Sequence, residues 1–173
     1  SSRQSGGIAT PLLRATLTPA SLEAVQVIGP QEAVAVDGTG RVYRSTDGGA
    51  SWTASASAPP ELAAVDLHFT TGVDGWVIGQ GFGSGALFHT ADAGASWTPV
   101  PDFLGTYVAV DFAGANGWAA SYDGTFYRTT DSGLSWTQGS LPGLAPQVKD
   151  IEFWDSAIGY AVGGGGYAVR STD

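Results

Sequence analysis

The chain has 173 residues, 16 acidic and seven basic side chains, a formal net charge of −9, 26 glycines and no cysteine. Seven scattered cations argue against nucleic acid as a partner, and the absence of thiols excludes disulfides and thiolate metal sites. The length predicts one domain with enough chain to bury a core.

Residues 1–7 read as a flexible leader. Residues 8–17 carry an apolar patch around Ile8, Leu12 and Leu13, followed by Pro19. That patch suits either a lone strand of another sheet or a strap across the surface. The first residue is Ser1 rather than Met, which fits a processed or engineered start, with any signal peptide or lipid anchor lost from view. No run of 18 apolar residues and no basic amphipathic helix occurs, so direct membrane insertion is not expected.

From Ser21 the chain repeats itself. The first segment of each unit is Leu22–Val27, Leu62–Leu67, Tyr107–Phe112 and Gln147–Ile151. The second is Ala33–Val36, Gly75–Ile78, Gly117–Ala120 and Gly159–Val162. The third is Val42–Arg44, Leu87–His89, Phe126–Arg128 and Ala168–Arg170. A short box then follows: Ser45 to Trp52, Thr90 to Trp97, Thr129 to Trp136, and a fourth copy beginning at Ser171-Thr172-Asp173. The box reads [Ser/Thr]-x-Asp-x-Gly-x-Ser-Trp, and its parts are Asp47, Gly49 and Trp52, Asp92, Gly94 and Trp97, Asp131, Gly133 and Trp136, and Asp173.

The chemistry of the box is that of a stapled turn. An Asp carboxylate accepts backbone N–H groups just ahead of it, Gly supplies the left-handed backbone a tight turn needs, and a Ser or Thr hydroxyl closes the loop. The Trp is expected to open a fourth strand and cover the sheet. Four short apolar strands per unit of about 40 residues are the blade of a β-propeller. The predicted fold is therefore all-β: a propeller of four-stranded antiparallel blades with boxed turns, about four of them, at 21–58, 61–100, 105–141 and an incomplete 147–173. Four is the lower limit for closure. The chain is read as part of a larger propeller, with closure as four blades or pairing with a second copy as the other outcomes.

The boxes resemble the Asp-box, or BNR repeat, of bacterial sialidases, xyloglucan-active glycosidases and sortilin-type receptors. The longer unit resembles the photosystem II stability/assembly factor-like propellers, most closely at Gly159-Tyr160-Ala161-Val162-Gly163 and Val42-Tyr43-Arg44-Ser45-Thr46-Asp47-Gly48-Gly49. The resemblance covers residues 21–173. It implies a non-enzymatic scaffold that binds a protein or peptide client, in assembly of a membrane complex of the photosystem kind, on the exported side (periplasmic, lumenal or extracellular). It also implies a basic patch built from the residue before each box, here Arg44, His89, Arg128 and Arg170. A guanidinium fork suits a client carboxylate, although an Arg there can equally stack on a Trp or pair with a neighbouring Asp. Phe82, in the longest inter-strand loop, is a further candidate contact.

A glycan-active propeller is the competing reading. Sialidases carry an arginine triad, a Tyr–Glu nucleophile pair and an Arg-Ile-Pro type motif; Leu13-Arg14-Ala15 is not that motif, and the only glutamates are Glu23, Glu32, Glu61 and Glu152. A glycosidase needs two carboxylates at a set separation. Asp66, Asp111 and Asp150, aligned with Gln26 in one inner-strand column, are candidates, but buried acids there more often bond backbone N–H groups of the next blade. His68 and His89 are too few and too far apart in sequence for a metal site. No catalytic residue, cofactor or metal is expected.

Overall fold

The computed structural model describes residues 21–55, 57–82, 86–140 and 147–171. The expectations for residues 1–20, for Pro142 to Pro146 and for the box residue Asp173 lie outside these.

The strands are β1 (Leu22–Gly29), β2 (Glu32–Asp37), β3 (Val42–Ser45) and β4 (Thr53–Ala54); β5 (Leu62–Phe69), β6 (Gly75–Gly81), β7 (Leu87–Thr90) and β8 (Thr98–Pro99); β9 (Tyr107–Ala113), β10 (Asn116–Ser121), β11 (Thr125–Thr129) and β12 (Thr137–Ser140); and β13 (Val148–Phe153), β14 (Gly159–Gly163) and β15 (Ala168–Arg170). Each group forms its own antiparallel meander, so the chain makes three four-stranded blades and a fourth with three strands among the described residues. A 3-10 turn at Gly164–Gly166, joining β14 to β15, is the helical exception among them. The all-β propeller expectation holds. One detail differs: Trp52, Trp97 and Trp136 each precede the fourth strand by one residue rather than opening it.

The two middle blades are apolar on both faces because each is sandwiched between neighbours. The core is accordingly three clusters, one per blade-to-blade junction. Val34 and Val36 of blade 1 meet Leu67 and Phe69 of blade 2. Trp76 and Ile78 of blade 2 meet Val110 and Phe112 of blade 3. Trp118 and Ala120 of blade 3 meet Ile151 and Phe153 of blade 4. The box Trp of a blade closes the junction behind it: Trp97 packs on the first cluster and Trp136 on the second.

The three boxes share one geometry. In the first, Ser45 Oγ donates to Asp47 Oδ1 at 2.9 Å and accepts Gly49 N–H at 2.8 Å. Asp47 also accepts Ser51 N–H at 2.9 Å and Ser51 Oγ–H at 2.6 Å. Asp92 and Asp131 repeat this with Thr90 and Ser96, and with Thr129 and Ser135. The carboxylate thus reaches four residues ahead, further than the sequence suggested. Gly49, Gly94 and Gly133 all take positive φ, and a Cβ on Gly133 would press into the Trp76 ring of the preceding blade.

These bonds hold the Asp47, Asp92 and Asp131 carboxyls down at about 2, the Ser51, Ser96 and Ser135 hydroxyls being the largest cause. A carboxyl depressed in the folded state contributes stability that is complete above its ordinary range and is lost as pH falls towards the folded value. The melting temperature is expected to fall as pH drops from about 4 to about 2. The Asp47→Asn, Asp92→Asn, Asp131→Asn triple variant should flatten that slope; an unchanged slope would show that the boxes do not carry it.

Candidate partner-binding face and axial cavity

Strand register lays the polar residues out in rows. In each blade one row runs outward from the propeller axis, at the end that carries the boxed turns. In blade 1 it is Gln26, Val34, Arg44 and Thr53. In blade 2 it is His68, Trp76, His89 and Thr98. In blade 3 it is Asp111, Trp118, Arg128 and Thr137, and in blade 4 Glu152, Tyr160 and Arg170. The row pattern is an inner polar group, a large apolar or aromatic residue, then a basic residue. The four basic residues predicted from sequence therefore do occupy one structural position, repeated about the axis.

Their surroundings differ. Arg44 pairs with Glu32 at 2.8 Å and donates to the Gly72 carbonyl of blade 2, so it ties two blades together. His89 lies 4.7 Å from the Trp76 ring centroid, and its Nε2 is 3.1 Å from Asp74 Oδ1. Arg128 sits over Trp118 at 5.8 Å and makes only long bonds of 3.5 Å, to Asn116 Oδ1 and the Ser156 carbonyl. Arg170 is exposed on β15. Its charge, after the N–H groups of Ala157 and Ile158, helps hold the Asp155 carboxyl below the ordinary range. Among the described residues, Arg128 and Arg170 have no carboxylate within ion-pair distance, whereas Arg44 and His89 do. Both border the β13–β14 turn, which presents Trp154 at 84% exposure. Phe82 is exposed too, but it follows the far end of β6 and is separated from this ring.

The inner strands border an open axial cavity of about 250 Å³, lined from all four blades and including Gln26, Asp66, His68, Asp111, Asp150 and Glu152. The single column expected of the inner-strand acids is in fact two. A bulge recurs in every inner strand, between Leu22 and Ala24, Ala64 and Asp66, Tyr107 and Ala109, and Val148 and Asp150. It places Ala24, Asp66, Ala109 and Asp150 at one level and Gln26, His68, Asp111 and Glu152 at the next. Distance from the strand-end phenylalanine carries this signal in the sequence: Asp66 and Asp150 stand three residues before Phe69 and Phe153, and Asp111 one before Phe112.

Most of these groups stitch one blade to the next, as expected of buried acids. Gln26 exchanges two bonds with the Phe69 backbone, at 2.6 and 3.0 Å. Asp66 accepts Val110 N–H at 2.9 Å and Asp111 accepts Phe153 N–H at 2.5 Å. His68 Nδ1 lies 3.0 Å from Asp111 Oδ1, so it is a paired residue of the cavity wall. Burial pushes the Asp66 carboxyl up to about 6, and burial likewise raises Asp150. No group of three or more metal-ligating side chains occurs among the described residues.

No protein-family model and no curated protein matches the chain. Solved structures do resemble it. YCF48 bound to D1 peptide is 17% identical with a TM-score of 0.61, over 89% of this chain and 54% of that one. An ancestral GH74 enzyme is 17% identical with a TM-score of 0.70, over 90% of this chain and 24% of that one. A streptogramin B lyase is 10% identical with a TM-score of 0.63, over 91% and 56%. The chain thus spans about half or less of the length of these neighbours. At such identities the likeness is one of fold. That fold is the β-propeller.

Proposed function

We propose that the chain is a non-enzymatic propeller scaffold that holds a protein or peptide partner on its boxed-turn face, with a partner carboxylate received between Arg128 and Arg170. One observation carries this reading: of the four equivalent basic residues, these two have no carboxylate within ion-pair distance among the described residues, and they border the turn that carries the exposed Trp154. An Arg fork beside an aromatic ring suits an extended acidic or C-terminal peptide. The peptide-bound YCF48 structure supports such a use of the fold. The setting this suggests is assembly of a membrane complex on the exported side of the membrane.

A second reading has one observation in its favour. Asp66, Asp150 and Glu152 share one solvent-reaching cavity, and a carboxyl that burial raises to about 6 with further acids beside it is what a general acid acting on a glycoside needs. The GH74 neighbour has this fold.

The experiment is capture of acidic C-terminal peptides from a peptide array, run beside a glycan array and assays on sialosides and β-glucans. Arg128→Ala with Arg170→Ala should lower peptide binding at least about tenfold, the loss expected for a charge-assisted pair. Arg44→Ala, whose guanidinium is already spent on Glu32, should leave binding unchanged. Binding indifferent to the double variant would reject the site. Glycan turnover abolished by Asp66→Ala would install the second reading in its place.

A further inference from the structure

The three built junctions act as templates for a fourth that this molecule leaves open. In each built junction the row residue of the second strand is covered: Val34, Trp76 and Trp118 are all buried. What covers it is the inner strand of the next blade. Phe112 stacks on Trp76 at 4.2 Å and Phe153 on Trp118 at 3.6 Å with rings 2° from parallel. Beside the stack, an inner-strand carboxylate accepts a backbone N–H from that same strand, as Asp66 does from Val110.

Blade 4 presents the receiving half of this arrangement, and no inner strand among the described residues covers it. Tyr160, at the position of Trp76 and Trp118, is 54% exposed, and Val162, at the position of Ile78 and Ala120, is 45% exposed. Asp150 occupies the register position of Asp66 and accepts Ile151 N–H on its own strand just as Asp66 accepts Leu67 N–H, but no described residue supplies it the counterpart of the Val110 N–H bond. Blade 1 presents the inserting half, equally bare. Val25 and Val27 stand where Val110 and Phe112 stand in blade 3, and they are 68% and 76% exposed. No core cluster among the described residues includes Trp52, the box Trp that would close a junction behind blade 1.

We propose that these two faces are the halves of one interface between copies of the chain, joined head to tail. Blade 4 of one copy receives β1 of a second copy. Val27 of that copy lies on Tyr160, Val25 N–H reaches Asp150, and Trp52 closes the rim. The occupant is a second copy because the chain itself carries the matching surface, in the register the other three junctions use, while its own blade 1 leaves blade 4 uncovered. The two patches differ, so the contact is heterologous: it closes into a ring if the rotation allows and otherwise propagates.

Mass measurement by light scattering over a wide concentration range tests this. The intact chain should show masses that are multiples of the monomer. Tyr160→Lys and Val27→Asp should each be monomeric, and both should keep the strand signal in circular dichroism because both sites are exposed. An equimolar mixture of the two variants should form a pair that stops at two copies, since one intact receiving face then meets one intact inserting face. An intact chain that stays monomeric at every concentration overturns the proposal, and so does a mixture of folded variants that fails to pair. Either result would mean that the faces close on each other within one molecule or are covered by another segment.

Discussion

Replacing Trp76 with alanine is expected to lower the unfolding free energy by about 3–5 kcal/mol, the cost of emptying a packed aromatic site. Trp76 is 2% exposed and holds three things at once. Its ring stacks on Phe112 of blade 3, lies against His89 of its own blade, and receives the box glycine Gly133 of blade 3. The surrounding strands are fixed by their ladders, so the void cannot collapse. Tyr160→Ala, at the same register position in blade 4, is the matched control. Measured on the monomer, it should change stability by only about 0.5 kcal/mol, as surface substitutions do. Denaturant unfolding of both variants decides the matter. A Trp76→Ala loss as small as that of Tyr160→Ala would mean that the blade 2–blade 3 junction is not what holds the array together.

Asp66→Asn is expected to stabilise the protein at pH 7, by on the order of 2 kcal/mol. The carboxyl is buried, which raises it to about 6, while its like-charged neighbour Asp150 pushes in the same direction. An acid whose folded value lies above its unfolded one binds more protons when folded, so its contribution to stability falls as pH climbs from about 4 to about 6. Asparagine removes that charge and keeps one oxygen for Val110 N–H; the Leu67 N–H that the other carboxylate oxygen accepts loses its partner, which holds the gain below the full pKa-linked value. The gain should therefore be largest at pH 7 and vanish near pH 4. A variant less stable than the parent at pH 7 would show that the ionised carboxylate supports the axis rather than straining it.

Much of this molecule was legible from sequence because its repeats are punctuated. The boxes mark every blade edge, and Gly75, Gly117 and Gly159 open the second strands where a Cβ would overlap the rings of Phe69, Phe112 and Phe153. The basic residue before each box lands at one structural position for the same reason: its distance from the box never varies. The inner strands were harder to read. Each holds a bulge, at Glu23, Val65, Val108 and Lys149, and none of these residues announces it. The bulges fall at the same rung in every blade, but β5 carries two more residues ahead of its bulge than β9 does, and that offset sets Asp66 and Asp111 on different levels. Which cations remain without an acid is also beyond a repeat pattern, because Glu32 and Asp74 lie in second strands and turns that differ between units.

The alternation of Ala24, Asp66, Ala109 and Asp150 around the axis has a consequence for anyone extending or trimming this array. Asp66 and Asp150 sit two blades apart, with the Ala109 methyl group of blade 3 between them. Deleting blade 3 alone would seat the two carboxylates on adjacent blades, where each would disfavour the other's charge. The workable unit of construction is therefore the pair of blades.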